Sequence, residues 1–230
     1  MSDRIHGYLL DRLDIFVSLV ADRHALVLDR DGRLAGAEAR LVADALDLSE
    51  AAASAPRGLA AVELLRGLAE AVGLVRDRGQ RLEATTLRHP WAQLDPALRA
   101  GLVFAAWCHR MPWDKLLGDE PDGAARVLWA GRSTVLHLLL DLPTGTDVPV
   151  AELAGTVARR IGLPNDDWLA RALAAVFLDP LVALGVADVA PPPPDVPHTA
   201  RLRPQARDVI GAALIAAGED VPSPAPPTEP

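Results

Sequence analysis

The stretch "GLAAVELLRGLAEAVGLVRDRGQRLEATT", Gly58 to Thr86, decides how the chain is read. Leu59, Val62, Leu65, Leu68, Ala69 and Val72 recur at helical spacing, and Gly73 stands where a helix needs a left-handed stop. Beyond it Leu74–Arg76 and Arg81–Ala84 flank "DRGQ", the composition of a tight hairpin turn. A helix running straight into a short β-ribbon is how a winged helix ends, so the pattern predicts such a unit here.

Upstream, Ile5, Leu9, Leu13, Phe16 and Val20 form one apolar helix face. "ALVLDRDGRLAG" follows as a brief extended segment with a turn at Asp31-Gly32. Ala37, Leu41, Ala45 and Leu48 then mark a second helix, and "SEAAASAPRG", with Pro56 and Gly58, reads as a loop. The predicted order is helix, strand, helix, helix, two-stranded wing.

Downstream, Pro96 suits the first turn of a helix that carries Leu98, Leu102, Ala105, Ala106 and Trp107. After a break at "MPWDKLLGDEPDG", helical residues Val127, Leu128, Val135, Leu136 and Leu139 follow, with a joint near Gly131. The first pattern then returns: "DLPTGTDVPV" is a short extended piece, and "AELAGTVARRIG" is a helix stopped at Gly162. "DDWLARALAAVFLDPLVALG" is a helix stopped at Gly185, with Asp166 and Asp167 at its start, where the helix dipole favours acid. Val186–Val189 and Ala200–Arg203 form a second wing around a proline-rich tip, and a last helix after Pro204 ends at Gly218. The expected fold class is mainly α with short β-hairpins, as tandem winged-helix units joined by a helical middle. The expected organisation is a first unit over 1–90, a connector and second unit over 91–218, and a disordered tail over 219–230.

The order "IFVSLVADRHALVLDRDGRLAGAEARLVADAL", "LLRGLAEAVGLVRDRGQRLEAT" and a helix ending "LVFAAW" resembles the region after the core domain in actinobacterial relatives of the Ri-plasmid third-open-reading-frame family. That resemblance covers roughly residues 10–140 as a pattern and extends more loosely to Leu214. It implies a winged-helix fold and an actinobacterial origin; it transfers no catalytic residue.

Composition narrows the function classes. The chain has 230 residues, half of them apolar, and a net charge of −8, which argues against a protein that coats nucleic acid through many phosphate-facing cations. Residues 58–90 are the only non-acidic segment, with five positive and four negative groups. No apolar run is long enough for a membrane span, and no signal peptide is expected. The single cysteine, Cys108, permits no intramolecular disulfide and points to a reducing cytoplasm.

Ser133, His137 and Asp141 share one helix face at i, i+4 and i+8, yet collinear side chains rarely place an imidazole between hydroxyl and carboxylate, and no G-x-S-x-G elbow surrounds Ser133. The histidines have no H-x-x-x-H spacing, Cys108 and His109 point to different helix faces, and no phosphate-binding glycine loop occurs. No enzyme, cofactor or metal is expected. Trp91 and Trp113, beside Pro90 and Pro112 in breaks, are expected to be exposed as interface residues.

Two readings of function remain. In one, the chain is an adaptor that docks a protein partner or a second copy of itself. In the other, Arg66, Arg76, Arg78, Arg81 and Arg88 make the first wing a DNA contact. Glu63 and Glu70 on the helix before the wing, and Asp166, Asp167 and Asp179 on its counterpart, favour the adaptor.

Overall fold

Helix α1 (Tyr8–Asp22) turns Leu10, Leu13, Phe16, Val17 and Val20 inward, so the three-and-four spacing of its sequence becomes a buried stripe. The computed structural model describes residues 8–47, 56–111, 113, 117, 123–190, 198–219 and 221, with the side chains of 56–60 and 190 left aside. After α1 come β1 (Leu26–Val27), α2 (Gly36–Ala45) and α3 (Pro56–Val72). Pro56 opens α3, a position where its missing N–H costs nothing, so the helix starts inside the stretch expected to be a loop. The rest of that expected loop, most of the break after Met111, the tip of the second hairpin, and the expected tail apart from Glu219 and Val221 lie outside the described residues.

Gly73, at φ +88°, ends α3 in the left-handed region, and the Leu74 N–H reaches back to the Ala69 carbonyl at 2.9 Å. Strands β2 (Val75–Asp77) and β3 (Arg81–Ala84) follow at once. Gly79 and Gln80, both at positive φ, make the two-residue turn, closed by the Arg78 N–H on the Arg81 carbonyl at 2.7 Å. The ribbon is not two-stranded, because β1 pairs with β3 through Leu26↔Leu82 and gives a sheet of order β1-β3-β2.

Next come α4 (Arg88–Gln93), α5 (Pro96–Arg110), α6 (Ala124–Ala130) and α7 (Arg132–Asp141). The Asp95 carboxylate caps α5 by accepting the Ala97 N–H at 2.8 Å, and Pro96 fills the first turn, as its sequence predicts. The chain continues through β4 (Asp147–Pro149), α8 (Val150–Ile161) and α9 (Asp167–Leu173), a π-helical turn (Ala174–Leu178), α10 (Asp179–Ala183), β5 (Ala187–Ala190), β6 (Thr199–Leu202) and α11 (Ala206–Ala216). What reads as one helix from Asp166 to Gly185 is therefore divided. Pro180 has no N–H to give the carbonyl four residues back, Val176, and the Trp107 indole N–H takes that oxygen at 2.7 Å instead.

The second sheet has the order β4-β6-β5, so both sheets are antiparallel, three-stranded, and place the last strand in the middle. Gly185, at φ +75°, ends α10, and the Val186 N–H meets the Leu181 carbonyl at 2.9 Å, the closure already seen at Gly73. Buried apolar side chains run in one cluster from Leu10 to Leu214, and the expected division at residue 90 falls inside α4. Helix α5 packs on both α3 and α11. A Cβ on Gly101 would lie 2.7 Å from that of Ala212, so glycine here is what lets α5 and α11 approach.

The expected exposure of Trp91 and Trp113 is corrected by this packing. The break expected around Trp91 is helix α4, which turns the ring inward to 5% exposure. Its Nε1–H donates to Asp14 Oδ1 at 2.9 Å, while Arg99 lies 5.1 Å from the ring centre and 2.8 Å from Asp14 Oδ2. Trp113 is 2% exposed, edge-on to Trp129 at 4.8 Å and Phe177 at 5.2 Å, and donates to the Trp107 carbonyl. An indole whose N–H finds an acceptor buries readily, and a proline beside it in sequence does not hold it at the surface.

Candidate interaction surfaces

The arginines of the first hairpin do not act as a set. Arg66 projects from α3 and is claimed at once by Glu63 at 2.8 Å and Glu70 at 3.1 Å, one turn to either side of it. Glu63 also accepts the Leu34 N–H at 2.8 Å, so the cluster fastens the turn before α2 onto α3. Arg76 and Arg78, on the ribbon, are half-exposed and share Glu83 of the facing strand at 3.7 and 3.5 Å. Arg81 is exposed at the start of β3, and Arg88 is half-buried at the start of α4. Two loosely held guanidinium groups and one open one thus lie on the ribbon, while Arg66 serves the helix behind it.

The second ribbon is more fully neutralised. Arg201 makes two bonds to Asp147 across β4–β6, at 2.6 and 2.9 Å, and holds that carboxyl below the usual carboxylate range. Arg203 does the same to Asp188, at 2.6 and 3.0 Å. The first pair follows directly from the sheet, since Asp147 is in register with Arg201; the second is diagonal, Asp188 lying opposite Arg201 and pairing with Arg203 two residues on.

An apolar groove of about 310 Å³ opens where the end of α3, helix α4, the outer face of α5 and the end of α11 meet. Its floor comes from Leu74, Trp91, Leu94, Ala105 and Ala106, with Leu87 and Arg110 on the rim. Of its lining side chains Leu87 is 53% exposed and Leu102 41%; Leu98, one turn before Leu102 on α5, is 49% exposed, and Ile215, next in sequence to the lining residue Ala216, is 66% exposed. The sequence pattern placed Leu98 and Leu102 on the buried stripe of α5; they lie beyond its edge, while Ala100, Val103, Phe104 and Trp107 turn inward.

His109 stands in the groove wall with both ring nitrogens engaged. Nε2–H donates to the Ala213 carbonyl at 2.7 Å, and Nδ1 accepts from Arg132 Nε at 3.0 Å, which fixes the neutral ring. Burial, opposed by the bond to Ala213 and reinforced by Arg132 and Arg110, lowers its pKa from the usual 6.5. Arg132 also covers the Trp129 ring at 4.6 Å and donates to its carbonyl. The neighbouring Cys108 is fully buried, and burial pushes its thiol far above the usual range.

A second, shallower recess of about 390 Å³ lies between Tyr8, Asp179, Val182, Val189 and His198. Burial raises the Asp179 carboxyl above its ordinary value, against the opposing charge of His198. Ser133, His137 and Asp141 succeed one another along α7, and no hydrogen bond joins them into a relay. Among the described residues no group of three histidine, cysteine or acidic side chains is placed to hold a metal, and no helix is long and apolar enough to cross a membrane. Comparison of the chain with family models, curated proteins and solved structures finds no match.

Proposed function

We propose that the chain is a non-enzymatic adaptor built from two winged-helix units, and that it works by docking protein on the groove-bearing face of α5. The repeated order helix, strand, helix, helix, strand, strand supports the tandem winged-helix reading, as does the shared left-handed closure at Gly73 and Gly185. The resemblance to the region found in actinobacterial relatives of the Ri-plasmid third-open-reading-frame family agrees with it. The observation that carries the function is that two exposed leucines, Leu87 and Leu102, line a groove with an apolar floor, with the exposed Leu98 one turn before Leu102 on α5 and the exposed Ile215 next in sequence to the groove-lining Ala216.

A second reading rests on Arg76 and Arg78, whose bonds to Glu83 are long and whose side chains stay 51% and 56% exposed. Those two, with Arg81 and Arg88, would let the first ribbon touch phosphates while Arg66 braced α3. Polarisation of a labelled DNA duplex at low salt separates the readings. The adaptor reading expects no binding that weakens steeply with salt. Binding that does so, and that is lost when Arg76 and Arg78 become alanine, would replace it with the DNA reading.

A further inference from the structure

The outer face of α5 carries a pattern that its own antiparallel copy would match. Along the helix Leu98, Leu102, Ala106 and His109 recur at steps of three and four, and so lie on one stripe, with the N-cap Asp95 at its start. The stripe is acid at its N-terminal end, leucine in the middle, alanine beyond, and cationic at its C-terminal end, where Arg110 stands beside His109. The Asp95 carboxylate accepts only the capping N–H of Ala97, and the Arg110 guanidinium donates only to the Ala71 carbonyl; neither has an ion-pair partner among the described residues.

We infer that a second copy of this chain docks on the face, with the two α5 helices antiparallel about a two-fold axis at Leu102. In that register Leu102 meets Leu102, Leu98 of each copy drops over Ala105 and Ala106 of the other, and Asp95 lies against the end that bears His109 and Arg110. Leucine then enters the one part of the stripe where alanines leave the groove open, so knob and hole sit on the same surface, as an isologous contact requires. The charges decide the orientation. A parallel pairing would set Asp95 against Asp95 and Arg110 against Arg110, whereas the antiparallel one matches both ends at once. His109 contributes no charge, because both of its nitrogens are engaged within the chain. Leu87, on the groove rim, lies beside Leu102, Ala105 and Ala106 in the lining of the same groove. The inference rests on the docking reading above and commits it to one occupant.

Sedimentation equilibrium at micromolar concentrations tests it, with the expected mass twice the 24.4 kDa of the chain. Leu102→Glu returns the mass to that of one chain, and Leu98→Lys does the same; circular dichroism checks that both fold. Asp95→Asn, which keeps the cap but removes the charge, raises the dissociation constant roughly threefold to tenfold. Leu102→Cys forms a disulfide-linked dimer on mild oxidation, while cysteine in place of the somewhat more exposed Val27 on β1 does not. Native Cys108 is fully buried and does not compete. A chain that stays monomeric at 100-fold higher concentration overturns the inference, and so does a dimer indifferent to Leu102→Glu or one that crosslinks equally through position 27. If a monomeric chain is instead photo-crosslinked at Leu87 to a different polypeptide, self-pairing falls and the docking reading stands.

Discussion

Replacing Trp107 with phenylalanine removes an N–H that reaches the Val176 carbonyl from outside its own helix, at 2.7 Å in a site where Trp107 is 7% exposed. Pro180 withholds the N–H that an α-helix would have offered that oxygen. A buried carbonyl left without its partner costs about 1–3 kcal/mol. The space vacated by the smaller ring adds about 1 kcal/mol, for a total near 2–4 kcal/mol. In a domain of this size each kcal/mol lowers Tm by roughly 2–4 °C. Urea denaturation followed by circular dichroism reads the loss directly. A second substitution isolates the hydrogen bond from the packing, because Pro180→Ala restores an N–H four residues after Val176. In the Trp107→Phe background that change should recover about 1 kcal/mol, although alone it gains nothing comparable. Equal effects of Pro180→Ala in both backgrounds would refute the assignment, as would a Trp107→Phe protein within about 0.5 kcal/mol of the parent.

Two other perturbations have signs fixed by geometry. Gly101→Val sets a branched carbon where even a Cβ would lie 2.7 Å from that of Ala212; denaturant titration should show a loss of about 2–3 kcal/mol, part of it returned by Ala212→Gly. His109 is held neutral, with its folded-state pKa below the ordinary 6.5, so the unfolded chain binds the proton more readily. Stability from this group is therefore complete above pH 6.5 and declines as pH falls through that value, down to the lowered pKa of the folded state. The drop in urea midpoint between pH 7.5 and 5 should shrink in His109→Gln, and an unchanged drop would show that another group carries it.

Periodicity and punctuation made most of the fold legible. Gly73 and Gly185 announced their own helix ends because left-handed closure asks for glycine whatever surrounds it, and Asp95-Pro96 announced the start of α5 for a similarly local reason. The three-stranded sheets were harder, since two-residue β1 has no alternation to read and owes its pairing to β3, more than fifty residues away. The burial of Trp91 and Trp113 is not legible in their surrounding sequence, because it depends on Asp14 and on Trp129 and Phe177, partners set by tertiary packing. The arginines were visible one by one. That Arg66 belongs to Glu63 and Glu70 could have been read from helical spacing alone. The exposed face of α5 was not legible, because Leu98 and Leu102 look in sequence like the residues that turn inward; their exposure is decided by where α3 and α11 come to rest.

We propose the groove beside α5, and not the arginine ribbon, as the working surface of the protein. A photo-reactive benzoylphenylalanine placed at Leu87 on the groove rim, and in a separate variant at Gln80 in the ribbon turn, tests it in one experiment on cells making the full chain. Polypeptide adducts are expected from position 87, abolished by Leu102→Glu, and none from position 80. Nucleic-acid adducts from position 80, with position 87 silent, would contradict it.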